Sequence, residues 1–108
     1  MIVELDVFSG RPNPRWQLDE TRAREVAEQH QRLAATAEQP SEPPGLGYRG
    51  FVYTLEGSVW RAWSGFVTSA ERTLADPDRS VERLLLASLP PEYAELRPRL
   101  AAEIEHAV

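Results

Sequence analysis

Glu4 and Asp6 are two carboxylates placed i and i+2, so on a strand they project from the same face. Such a pair performs acid–base chemistry only if burial or repulsion drives the two pKa values apart. Nothing in the surrounding IVELDVF predicts that burial, and a solvated strand face is the simpler reading. As metal ligands they would need further carboxylates or a histidine at a defined spacing, and none follows. His30 lies on the apolar side of a helical stretch and reads as a satisfied core or interface residue. His106, near the C-terminus, reads as a favourable charge at the end of a last helix. With no cysteine, thiolate nucleophiles, disulfides and Cys-based zinc sites are excluded. The expectation is a chain without catalytic residues, metal or cofactor. A small tautomerase-like or hydrolytic enzyme using Glu4, Asp6 or His30 is the alternative.

The residues better suited to binding cluster elsewhere. In Phe8-Ser9-Gly10-Arg11-Pro12-Asn13-Pro14-Arg15-Trp16 the prolines hold Arg11 and Asn13 in fixed, extended positions, from which they can meet a carboxylate or a peptide backbone at little ordering cost. The bland alternative is a rigid connector in which Asn13 bonds to backbone and Trp16 plugs the core. The segment GLGYRG at 45–50 lacks the lysine and hydroxyl of a P-loop and leads into a strand rather than a helix, so it is no nucleotide motif. It does carry Tyr48 and Arg49, residue types that dominate binding hot spots.

The elements that would position these groups follow from periodicity. Residues 2–8 alternate as a half-buried strand that stops at Ser9-Gly10, and RPNP makes an ordered non-helical loop. Asp19 is a plausible N-cap for a helix whose apolar face carries Ala23, Val26, Ala27, His30, Leu33 and Ala34. Residues 39–50 are dense in Pro and Gly and form a connection. FVYTL at 51–55 and the stretch 58–70 flank Glu56-Gly57, which predicts a tight hairpin pairing residue 55 with 58 and 53 with 60. That register puts Phe51, Tyr53, Leu55, Trp60 and Ala62 on a core face, and places Arg61 and Trp63 with Val52, Thr54 and Val59 on the other, where a partner could meet them. Asp76-Pro77 reads as N-cap and N1 of a helix through Leu89, and Leu96, Leu100 and Ile104 mark a last helix that Pro98 starts or kinks. The order β-α-β-β-α-α predicts an α+β fold: a small three-stranded antiparallel sheet with helices on one face.

At 108 residues, 42% hydrophobic and 27% charged, the chain is the size and composition of one globular domain, residues 1–108. A domain this short leaves apolar surface for a second copy, so a homodimer is expected. Net charge is −5, from 17 acidic and 12 basic residues, which argues against nucleic acid as the partner; that all 12 basic residues are arginine reads as codon usage rather than a site. No stretch approaches the roughly 20 apolar residues that span a bilayer, and the N-terminus is unlike a signal peptide, so the expected setting is cytoplasmic, with no membrane partner.

The runs VFSGRPNPRW, GLGYRGF and ADPDRSVERLLL resemble a group of small bacterial proteins with an SGRPNPxW motif, and are similar to the small peptide-binding proteins of crocagin biosynthesis, a ribosomal peptide pathway. The resemblance spans residue 2 to about residue 89. It implies a non-enzymatic accessory protein that binds a precursor peptide and presents it to the pathway's modification enzymes. The candidate peptide-binding residues are Arg11, Asn13, Trp16, Tyr48, Arg49, Arg61 and Trp63. A purely structural dimer, or an interaction protein of toxin–antitoxin type, is a third reading.

Overall fold

The structure is a computed structural model that describes residues 1–45 and 47–105. It is α+β, but the sheet has seven strands rather than the three expected. The strands are β1 (Ile2–Leu5), β2 (Arg15–Gln17), β3 (Ala34–Ala35), β4 (Phe51–Leu55), β5 (Ser58–Trp63), β6 (Phe66–Thr68) and β7 (Thr73–Ala75). Helix α1 (Glu20–Arg32) separates β2 from β3, and α2 (Ser80–Ala87), a 3-10 helix at Pro91–Leu96 and α3 (Arg97–Glu105) follow β7. The sheet order is β2-β1-β4-β5-β6-β7-β3, with every neighbouring pair antiparallel.

The β4–β5 hairpin has the expected register: Leu55 pairs with Ser58 and Tyr53 with Trp60. Its turn places Glu56 and Gly57 at φ of 51° and 82°, the double left-handed geometry that matches strand twist. The additional strands come from short segments. Ser64 and Gly65, at φ of 56° and 83°, make a second turn of the same kind and split 58–70 into β5 and β6. Residues 73–75 return as β7. Ala34 and Ala35 leave the helical pattern to pair with Ala75 and Leu74, so α1 stops at Arg32. Arg15–Gln17, expected at the end of a loop, pairs with β1 because Trp16 enters the core beside Val3 while Arg15 and Gln17 stay in water. Asp76 caps α2, but from further back than expected: its carboxylate accepts from the Ser80 and Val81 N–H groups, and the helix begins at Ser80. The N-cap expected at Asp19 is formed, accepting from Arg22 N–H at 2.8 Å.

One face of the sheet carries Val3, Leu5, Trp16, Phe51, Tyr53, Trp60, Ala62, Val67 and Leu74, all buried against Val26 of α1, Val81 and Leu85 of α2, and Leu100 and Ile104 of α3. Among the described residues, no helix lies over the opposite face. A cross-strand row of Arg15, Glu4, Val52, Arg61, Thr68 and Thr73 runs along it. Ile2 and Val59 stand on this open face, 46% and 60% exposed. Among the described residues, no helix is long and apolar enough to cross a membrane. The cap expected of His106 lies outside the described residues.

Candidate functional site

Three of the candidate residues meet around Asp6, which follows β1 and lies beside the loop 45–50. Asp6 Oδ1 accepts from Arg49 Nε at 3.0 Å and Nη2 at 2.9 Å, and Oδ2 accepts from Arg61 Nη1 at 2.7 Å. Main-chain bonds from Arg49 N–H to the Asp6 carbonyl and from Asp6 N–H to the Gly50 carbonyl lock the same junction. Asn13 closes the group. Its Oδ1 accepts from Val7 and Phe8 N–H at 3.0 and 2.8 Å, and its Nδ2 donates to Glu4 at 3.1 Å and Asp6 at 3.3 Å. Arg49 also donates to the carbonyls of Gly45 and Phe8. Burial alone would raise the Asp6 pKa, but the hydrogen bonds and charges of Arg49 and Arg61 outweigh it and hold the carboxyl below its ordinary value. The cluster ties the SGRPNP loop, the β1 end and the loop before β4 into one rigid piece.

Tyr48 points the other way. Its hydroxyl donates to Glu82 Oε1 at 2.6 Å, and Arg79 donates to both oxygens of the same carboxylate at 2.6 and 2.8 Å. Gly65 N–H adds a fourth donor at 3.2 Å. Burial, then the Glu82 charge, drives the Tyr48 pKa upward. Arg79 and Glu82 are both buried, and nothing in the sequence reading singled them out. The available signal was the spacing DRSVE, which sets Arg79 and Glu82 three residues apart at a helix start. Trp63 packs on Tyr48 with ring centroids 5.4 Å apart, and its indole N–H donates to the Ser41 carbonyl at 2.8 Å.

Trp16 lies on the core side, edge-on to Phe51, with its indole N–H donating to Ser88 Oγ at 3.0 Å. Arg11 stands apart from every other candidate. It is exposed at the tip of the β1–β2 loop, with its guanidinium 3.7 Å above the Phe8 ring, and forms no ion pair among the described residues. His30 Nε2 is 2.6 Å from the Tyr53 hydroxyl, and burial lowers its pKa. Glu4 and Asp6 are linked through Asn13.

The feature that remains open is the β2 edge. The bonds from Leu5 N–H to the Pro14 carbonyl and from Leu18 N–H to the Met1 carbonyl bracket the β1–β2 pairing. Hydrogen-bonded pairs alternate along an antiparallel ladder. Trp16 is therefore the β2 residue that bonds to β1, and Arg15 and Gln17 turn their N–H and C=O groups outward. Both residues are exposed. At the opposite edge β3 has two residues, of which Ala35 faces outward by the same alternation. An open cleft of about 430 Å³ lies near that end, lined by Glu38, Ser64, Phe66, Ala75, Pro77 and Arg79.

No protein-family model, curated protein or solved structure matches this chain.

Proposed function

We propose that this chain is a non-catalytic peptide-binding accessory protein, which takes up a ribosomally made precursor peptide in the cytoplasm and presents it to the enzymes that modify it. The observation that carries the proposal is the β2 edge, where Arg15 and Gln17 direct four main-chain hydrogen-bonding groups into solvent. Unpaired groups on a sheet edge are a template for an added strand, with main-chain bonds supplying affinity and alternate side chains specificity. The Asp6 cluster supports the reading by holding the β1–β2 loop, and hence β2, in one conformation before any ligand arrives. In this reading Asn13, Arg49 and Arg61 are the frame of the site, Trp16 and Tyr48 its anchorage in the core, and Arg11 a contact residue. The precursor peptide as the ligand rests on the resemblance of the SGRPNPRW segment.

Calorimetric titration of the precursor peptide encoded beside the gene tests the proposal. Gln17→Pro removes an outward N–H that β1 does not use, so the fold survives and peptide affinity falls by about tenfold or more. Ala35→Pro, which makes the same change at the far edge, leaves affinity unchanged. Absence of heat with any peptide from the gene neighbourhood sinks the proposal. Sedimentation of the free chain tests the expected homodimer.

A further inference from the structure

The β2 edge is electrostatically asymmetric. At its N-terminal end stand Arg15, whose side chain is 66% exposed, and Arg11 at the tip of the preceding loop. Glu4 lies 3.6 Å from the Arg15 Nε, and the Arg15 side chain stays mostly in solvent. Beyond its C-terminal end come Asp19 and Glu20, both exposed, with Arg22, 3.9 Å from Asp19, their one ion-pair partner among the described residues. The strand between them is uncharged at Trp16, Gln17 and Leu18.

We infer that the ligand strand runs antiparallel to β2 and carries an acidic side chain, or a C-terminal carboxylate, opposite Arg15 and Arg11. The inference rests on the peptide-binding reading above and adds direction, register and charge to it. The outward groups of Arg15 and Gln17 make these two residues the hydrogen-bonded pairs of an antiparallel addition, so peptide residues two apart form four main-chain bonds. Directly paired residues point the same way, which sets the peptide residue opposite Arg15 on the open face, within reach of its guanidinium. The peptide's C-terminal side then runs toward Arg11, and its N-terminal side toward Asp19 and Glu20, where basic residues are favoured. The reverse direction loses both matches, and like charges directly across a sheet repel. β2 has only three residues, so the added pairing is short. That brevity favours a peptide over a second copy: a stable interface buries about 800 Å² on each partner, more than a three-residue strand with two exposed residues provides.

Three acetylated nonapeptides separate the possibilities: KRTVTVTDE, its charge-reversed form DETVTVTKR, and the neutral QQTVTVTQQ. At low salt the first binds roughly tenfold more tightly than the second, the difference shrinks as salt is raised, and the amide resonances of Arg15 and Gln17 shift on binding. Arg15→Gln with Arg11→Gln abolishes the preference between the first two peptides. Equal affinity for all three, with the same amide shifts, overturns the polarity and leaves peptide binding standing. Failure of all three where the precursor peptide binds also overturns the polarity alone, and failure of the precursor as well overturns both. A dimer of the free chain that Gln17→Pro converts to monomer assigns the edge to a second copy, and overturns both.

Discussion

Asp6 is shared between two guanidiniums, with Arg49 held on Oδ1 and Arg61 on Oδ2 at 2.7 Å. The pairing joins β1, β5 and the loop before β4 on the open side of the sheet, and removes Arg49 and Arg61 from the pool of free cations. A carboxylate that a sequence reader would consider for catalysis is here the fixed point about which the loops are organised.

Asp6→Asn leaves both guanidiniums without a counter-charge and destabilises the fold by about 2–3 kcal/mol, read by urea denaturation. Arg61→Ala has the smaller effect of the two arginine deletions, because the Arg61 side chain is more exposed than that of Arg49. The folded-state pKa of Asp6 is lowered, so its contribution is fully present above the unfolded value near 3.8 and is lost as pH falls through the folded value. The stability of Asp6→Asn therefore changes less over that acid range than that of the parent chain.

Glu82→Ala strips the buried Arg79 of its bidentate partner and leaves Tyr48 and Gly65 N–H without an acceptor, at a cost of about 3–5 kcal/mol. Tyr48→Phe removes one bond to Glu82 and costs about 1–2 kcal/mol. In a double-mutant cycle the two effects are far from additive, since they share one carboxylate.

His30 titrates below its ordinary value of 6.5, because burial disfavours the imidazolium more than the Asp76 charge favours it. Proton NMR of the ring resonances gives a midpoint under 6.5. The unfolded chain takes up the proton first as pH falls, so the neutral ring's contribution is present above 6.5 and diminishes from there down to the folded value. Tyr53→Phe leaves the ring nitrogen without its partner and destabilises by about 1–2 kcal/mol.

Gly50 has φ of 102°, and a Cβ there would stand 2.5 Å from the Ala62 carbonyl oxygen of β5. Gly50→Ala displaces β4 from β5 and costs about 3 kcal/mol or more in thermal or urea unfolding. Gly10 has a similar φ of 83° but open space around it, so Gly10→Ala costs only about 1 kcal/mol.

Local chemistry made part of this fold legible in the residues. Alternation in IVELDVF and FVYTL, the Glu56-Gly57 turn, the Asp19 cap and the leucine spacing of the last helices each depend on neighbours a few positions away, and each element formed, although the first strand ends at Leu5 rather than Phe8. The short strands escaped because two or three residues show no period: Ala34–Ala35 continues a helical pattern in isolation, and becomes a strand only because β7 offers it a ladder. The site was legible as residue types and not as roles. Arg11, Asn13, Arg49 and Arg61 look alike as polar groups on loops and strands, and the meeting of β1, β5 and the loop before β4 at Asp6 separates the three that brace the structure from the one left free. Sequence alone therefore determined an α+β chain rich in candidate contact residues. Tertiary structure decided which backbone groups remain unpaired, because hydrogen-bond parity along β2 and the saturation of a carboxylate are properties of segments brought together from distant parts of the chain.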